Sequence, residues 1–218
     1  MKQLVPTNDS SRFLNDLCSM TKVIPVLTFN SVEDAIPLTE ATTGGGLPIL
    51  EITLRTVNSL RIIKRISEET KVLVGAGTII TQKDVKNAID AGAKFGVSPG
   101  VTQDLINSCE SEGLPLLAGV SSVSEAMKML ERGYDIMKFF PAESLGGVKA
   151  LRAIGGPLPQ ISFCPTGGIS QDNAKDYVIE KNVACIGGSW IATSDLIDSK
   201  NWEKIHNLAL DASKIGKR

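Results

Sequence analysis

The sequence predicts a single (β/α)8 barrel, and three observations lead to that expectation. Short β-branched runs alternate with longer amphipathic stretches, and eight such pairs can be counted along the 218 residues. No Ser- or Pro-rich linker interrupts the series, and the chain is long enough for one barrel of this kind. The rival α/β architecture, a doubly wound sheet, should open its first helix with G-x-G-x-x-G, whereas the segment after the first strand reads NSVEDA.

The elements follow in order. Residues 1–22 read as an extra helical segment ahead of the barrel, and the first strand is VIPVLTF (Val23 to Phe29). Ser31 is placed to cap the next helix, and the triple glycine Gly44 to Gly46 to end it. PILEITL (Pro48 to Leu54) opens on proline, which a first strand position tolerates. KVLVGAG (Lys71 to Gly77) is followed by a helix capped by Thr81 and closed at Gly92. KFGVSP (Lys94 to Pro99) leads to a cap at Thr102 and a stop at Gly113, and LPLLAGV (Leu114 to Val120) to a cap at Ser122 or Ser124 and a stop at Gly133. DIMKFF (Asp135 to Phe140), QISFCPT (Gln160 to Thr166) with Ser170 as the cap beyond it, and VACIGGS (Val183 to Ser189) complete the strands. The barrel core therefore spans 23–190, and 191–218 reads as a C-terminal helix.

Composition narrows the function. A formal net charge of −1, with no basic block except the terminal SKIGKR, gives no footprint for nucleic acid or anionic membrane. No apolar run approaches the ~18 residues of a membrane span, and the start MKQLVPTNDSSRF is too polar for a signal peptide. A cytoplasmic protein acting on a small molecule is expected. Cys18, Cys109, Cys164 and Cys185 never form the close pairs of zinc or redox motifs and read as reduced core thiols. The single histidine, His206, lies in the terminal helix pattern, which excludes Ser/His/Asp triads, Cys/His pairs and multi-histidine metal sites. Acid/base work then falls to a carboxylate, a lysine, a tyrosine or water. An Asp/Glu-only magnesium site stays open by residue type, but Glu51 is the single carboxylate among the strand-end positions, and no metal and no cofactor is expected.

In such a barrel the active site lies at the C-terminal strand ends, and alternate strand residues point inward. On the second strand Glu51, Thr53 and Arg55 share a face above Ile49. On the third, the face carrying Val74 and Ala76 ends at Thr78; on the sixth, Lys138 and Phe140 share a face while Met137 and Phe139 turn to the outer helices. Lysine inside an apolar run is rare. A Glu51–Lys138 pair serving only structure is one reading; convergence with Arg55 and Thr78 at strand ends favours a site. A neutral buried amine attacks a ketone, and the resulting iminium draws electrons from the adjacent carbon. With a 2-oxo acid, Arg55 and Thr78 would hold the carboxylate, Lys138 would form the imine and Glu51 would move protons. TGG (Thr166 to Gly168) and GGS (Gly187 to Ser189) end the last two strands, the usual phosphate site of this barrel. Gly146-Gly147 reads equally well as a turn or a site.

EITLRT (Glu51 to Thr56), VGAGT (Val74 to Thr78), SPG (Ser98 to Gly100), KFFPAE (Lys138 to Glu143), GGVKAL (Gly146 to Leu151), FCPTGGI (Phe163 to Ile169) and CIGGSW (Cys185 to Trp190) resemble the 2-keto-3-deoxy-6-phosphogluconate (KDPG) and 4-hydroxy-2-oxoglutarate (KHG) aldolases. The likeness runs in order from about Val23 to Trp190. It implies a class I aldolase, without cofactor, that splits 2-dehydro-3-deoxy-6-phosphogluconate into pyruvate and glyceraldehyde 3-phosphate, as in the Entner–Doudoroff pathway. It also implies action on 4-hydroxy-2-oxoglutarate and a homotrimeric assembly. On the matching positions, Lys138 would be the Schiff-base lysine, Glu51 the proton acceptor and donor, and Arg55 and Thr78 the carboxylate ligands. Gly167, Gly168, Gly188 and Ser189 would hold the phosphate, with Pro99, Phe140 and Thr166 lining the pocket. Where some members carry a phosphate-binding arginine at the end of strand one, this chain has Thr28 or Phe29. A related aldolase acting on the galactonate epimer, or mainly on 4-hydroxy-2-oxoglutarate, fits the same pyruvate half-site. A non-catalytic phosphosugar-binding barrel would leave Lys138 without a purpose.

Overall fold

The computed structural model of the protein describes residues 7–216. Residues 1–6 of the expected N-terminal segment, and the Lys217–Arg218 end of the basic tail, lie outside the described residues. The strands are β1 (Val23–Leu27), β2 (Ile49–Thr53), β3 (Leu73–Gly77), β4 (Gly96–Val97), β5 (Leu116–Leu117), β6 (Gly119–Val120), β7 (Ile136–Phe139), β8 (Ser162–Pro165) and β9 (Ile186–Gly188). All paired neighbours are parallel, in the orders β5-β4-β3-β2-β1-β9 and β6-β7-β8.

The two sheets are one barrel, because β5 and β6 are halves of the predicted fifth strand. The break falls at Ala118: beyond it the Gly119 N–H donates to the Ser98 hydroxyl at 3.3 Å rather than to a backbone carbonyl. Gly119 also passes so close to the Pro99 backbone that a Cβ would lie 2.4 Å from the Pro99 carbonyl carbon, an approach open only to glycine. On the far side the bridges Phe163↔Val183 and Thr166↔Gly187 tie β8 to the last strand segment and complete the ring.

The helices follow their sequence signals with instructive exceptions. Thr81 and Ser122 each form a reciprocal capping box, with Asp84 and Glu125, and Thr102 caps its helix through the Leu105 N–H. Gly92, Gly113 and Gly133 close their helices with φ of 87°, 72° and 83°. Ser31 does not cap: its hydroxyl accepts from the Asp34 N–H one turn early, and α2 (Ala35–Gly44) starts after that turn. Ser170 does not cap either, because its N–H is taken by Asn173 Oδ1 at 2.8 Å and α8 (Ala174–Val178) begins beyond Asn173. Both serines find a local turn that competes with helix entry. The C-terminal stretch holds two helices rather than one, α9 (Ser194–Asp198) and α10 (Trp202–Ser213).

Inside the barrel, Ile24, Ile49, Phe95, Leu117, Ile136, Cys164 and Cys185 fill the lower layer, and Leu14, Leu17 and Cys18 of α1 (Asp9–Met20) close it from beneath. Met137 and Phe139 pack outward against the helices, as the alternation predicts. The third strand has the opposite parity from the expected one. Val74 and Ala76 belong to the outer layer, while Gly75 and Gly77 face in, where a Cβ would meet the Phe95 ring at 2.4 Å and Glu51 at 2.2 Å. Large side chains from neighbouring strands occupy the space, so beyond Leu73, which packs on the lower layer, this strand contributes only backbone to the interior.

Candidate active site

Lys138 is held in the middle of β7, paired to Gly119 on one side and Cys164 on the other. Its outward neighbours Met137 and Phe139 lock the strand's orientation, so Nζ can point only into the barrel. Nζ stands 3.6 Å from Glu51 Oε1, with the two side chains only 8% and 5% exposed. The Phe140 ring lies 5.3 Å from the ammonium position, an apolar wall on the mouth side. The low dielectric makes this pair electrostatically strong, and its desolvation equally demanding.

Above Glu51, the same face of the second strand carries Thr53 and then Arg55. Arg55 Nε donates to Thr53 Oγ1 at 3.3 Å and Nη2 to Thr28 Oγ1 at 2.6 Å. Thr78 reaches the mouth by a different route from the one expected. It follows Gly77 with φ of 62°, a left-handed conformation unusual for a β-branched residue, which swings its side chain into the cavity just past the strand end. Strained backbone of this kind concentrates at functional sites.

The opposite wall is the loop after β8. Gly167 and Gly168 have φ of 102° and 77°, and a Cβ at Gly168 would lie 2.6 Å from Glu143 Cβ, so both need glycine. The Ala142 N–H donates to the Thr166 carbonyl at 2.8 Å and the Glu143 N–H to the Gly167 carbonyl at 3.1 Å. The chain leaving Lys138 is thereby fastened to the glycine loop. Glu143 is held in turn by the Tyr177 hydroxyl. Burial, and next the hydrogen bond to Glu143, push the Tyr177 phenol upward, so it stays a donor.

These elements enclose a cavity of about 260 Å³ lined by Glu51, Arg55, Thr78, Pro99, Lys138, Phe140, Thr166, Gly167, Gly168 and Ser189, all residues the sequence singles out. Gly188 is the exception. Its α-carbon faces the Trp190 ring, where a Cβ would lie 2.4 Å away, and Gly187 lines the cavity in its place. The two-residue alternation from Cys185 to Gly187 to Ser189 is the signal that selects the inward glycine. Val26, Thr53 and Ile169 also line the cavity and were not singled out as site residues; the first two lie on inward-facing strand positions. One layer below, three cysteines scattered in sequence come together. Hydrogen bonds with Cys164 and Cys18, reinforced by burial, push the Cys185 thiol well above its ordinary value. Among the described residues no group of His, Cys, Asp and Glu is arranged to hold a metal ion.

The family model described as KDPG and KHG aldolase matches residues 14–208. A 2-dehydro-3-deoxy-phosphogluconate aldolase of Pseudoalteromonas atlantica is 46% identical over 198 residues, covering 90% of this chain and 92% of its own. A KHG/KDPG aldolase of Escherichia coli is 43% identical over 191 residues, covering 87% and 90%. A crystal structure of the KDPG aldolase from Legionella pneumophila, with pyruvate captured at low pH as a covalent carbinolamine intermediate, superposes with a TM-score of 0.88 at 42% identity, covering 91% of this chain and 97% of that one. A barrel with one buried lysine beside one buried glutamate, matched over nearly its whole length by these proteins, belongs to the KDPG and KHG aldolase family.

Proposed function

We propose that this chain, a single barrel domain, is a class I aldolase that cleaves 2-dehydro-3-deoxy-6-phosphogluconate to pyruvate and glyceraldehyde 3-phosphate, and also 4-hydroxy-2-oxoglutarate to pyruvate and glyoxylate. The observation that supports it most is the position of Lys138 Nζ, 3.6 Å from Glu51 Oε1 at the floor of a cavity that Arg55 and Thr78 also line. Arg55 and Thr78 take the substrate carboxylate, which brings C2 over the amine. Lys138 adds to C2, and loss of water leaves the iminium. Glu51 accepts the C4 hydroxyl proton; the C3–C4 bond breaks as its electrons move through C3 and C2 onto nitrogen. The aldehyde departs, leaving an enamine. C3 then takes a proton, and water releases pyruvate and the free amine.

At the distal end, Gly167, Gly168 and Ser189, with Gly187 in the place of Gly188, hold the phosphate through backbone N–H groups and one hydroxyl. The cationic side chains of the cavity lining, Arg55 and Lys138, both stand at the pyruvate end. Backbone donors accept a phosphate or a carboxylate, which favours the second substrate as well. Four free, buried thiols suit a reducing cytoplasm, and none of the described helices is long and apolar enough to cross a membrane. The assembly proposed is the homotrimer that the family resemblance implies. A monomeric mass by sedimentation would remove that assembly.

Borohydride reduction in the presence of pyruvate, followed by peptide mass mapping, tests the chemistry. Label on Lys138 is expected; label elsewhere, or none, ends the reading. Glu51→Gln should still be trapped by pyruvate while turnover falls by roughly 10²–10⁴, the range for a lost acid/base group. Undiminished turnover would take Glu51 out of its role.

A further inference from the structure

Among the described residues, the guanidinium of Arg55 is held only by hydroxyls. Nε donates to Thr53 Oγ1 at 3.3 Å, Nη2 to Thr28 Oγ1 at 2.6 Å, and the two threonine hydroxyls are themselves bonded at 2.7 Å. Among the described residues Arg55 has no carboxylate partner, and Nη1 donates to none of them. The nearby Glu51 is engaged with Lys138 instead. Thr53 is buried at 2% exposure. Thr28 is tied down from the loop side, because the ends of the first two strands are stitched together just beyond it: Thr56 Oγ1 donates to the Phe29 carbonyl at 2.8 Å and Asn58 Nδ2 to the Asn30 carbonyl at 2.9 Å.

We propose that Thr28 and Thr53 form a neutral hydroxyl clamp that positions Arg55 for the substrate carboxylate. A long arginine side chain at a cavity mouth loses considerable rotamer freedom when it binds an anion, and fixing two of its nitrogens in advance removes much of that loss. The clamp must be neutral. A carboxylate at position 28 would fix the fork equally well but would consume its charge, leaving less for the incoming 2-oxo acid. Hydroxyls orient the donor plane while the net positive charge stays available, with Nη1 as the free arm. Thr28 thus has a task of its own in this chain: it serves the pyruvate end of the cavity through Arg55 rather than the distal end. The proposal rests on the reading of Arg55 as the carboxylate ligand.

The test measures the pyruvate concentration giving half-maximal inactivation by borohydride, alongside the steady-state constants, for Thr28→Val, Thr28→Ser, Arg55→Ala and the Thr28→Val/Arg55→Ala double variant. Losing a hydrogen bond to a charged group should raise half-saturation in Thr28→Val about 10-fold, with kcat changed less than about 3-fold. Thr28→Ser restores the hydroxyl and should stay within about 3-fold of the parent. The double variant should be no worse than Arg55→Ala, because without the guanidinium the clamp has nothing to hold. If Arg55→Ala weakens pyruvate binding and Thr28→Val does not, the clamp is wrong and Arg55 keeps its role. If Arg55→Ala leaves half-saturation unchanged, the carboxylate reading itself fails. Full additivity in the double variant, or failure of Thr28→Ser to recover, would mean that position 28 acts by packing and would overturn the clamp. Should Thr28→Val not fold, Thr28→Ala against Thr28→Ser carries the same comparison.

Discussion

Gly77 has no functional atom, yet a methyl group on it would lie 2.2 Å from Glu51 Oε1. The acid/base carboxylate fits beside Lys138 because its neighbour strand presents nothing at that height. We predict that Gly77→Ala, a change of one methyl group in a standard strand conformation, displaces Glu51 and lowers kcat by at least about 10-fold, since a misplacement near 1 Å can be that expensive. Imine trapping at Lys138 should persist. Activity equal to the parent would mean that Glu51 tolerates another position and that its 3.6 Å separation from Lys138 is not needed. Gly187 stands in the same relation to Thr166, whose hydroxyl would meet a Cβ at 2.4 Å. These inward glycines carry no reactive side chain: Gly188 is singled out through the family resemblance, and only the strand alternation picks out Gly187.

Among the elements, α1 is not a member of the β/α series; it closes the barrel floor. Leu14 and Leu17 are buried in the lower layer, each contributing about 1.5–3 kcal/mol if fully removed from water. Its N-cap Asn8 donates to the Arg132 and Gly133 carbonyls, and one carboxylate from another element gathers further bonds from it. Asp135, at the entrance to β7, accepts from Ser11 Oγ at 2.6 Å, Asn15 Nδ2 at 2.8 Å and Thr7 Oγ1 at 2.9 Å, and its own N–H donates back to Ser11 Oγ. Asp135→Ala leaves the buried Ser11 hydroxyl without that acceptor and should destabilise the protein by about 1–3 kcal/mol. The cavity at the other end would be untouched, so kcat should hold while the urea midpoint drops. An unchanged midpoint would show that apolar packing and the Asn8 bonds seat the helix without Asp135. Helix α10 follows a similar logic from the apolar side. It crosses α2 where Gly45 would otherwise drive a Cβ to 2.5 Å from Ala209 Cβ, and His206 belongs to that crossing and not to any site.

At the scale of the whole molecule, the four cysteines are free and buried, and the thiols of Cys109 and Cys185 are raised. Burial, and then the charge of Glu110, push the Cys109 thiol from 9.0 up to about 12. Burial likewise lifts the Tyr134 phenol from 10.0 to about 12. Both groups are neutral in the folded state and ionise more readily once unfolded. The folded state therefore binds more protons between those values, and stability falls as pH rises through them. We expect denaturant stability to be level below about pH 9 and to decline steadily towards pH 12. Thiol alkylation should require unfolding at neutral pH, because the reactive thiolate is scarce and shielded. Rapid labelling of native protein at pH 7 would contradict the thiol packing, and flat stability across the alkaline range would contradict the shifts.

Periodicity alone determined eight β/α units, the helix stops at Gly92, Gly113 and Gly133, and the inward stack Glu51, Thr53, Arg55, because alternation, capping and left-handed glycine are local properties of the chain. Glu51, Lys138 and the TGG loop were legible for the same reason: their chemistry is out of place in an apolar strand or a strand end. The break of the fifth strand at Ala118, the reversed parity of the third, the Ser31 and Ser170 turns, the gathering of Cys18, Cys164 and Cys185, and the hold of Thr28 on Arg55 were decided only by the tertiary structure. Each depends on which residues from distant strands compete for one volume, a balance of excluded space and shared hydrogen bonds that no local pattern encodes.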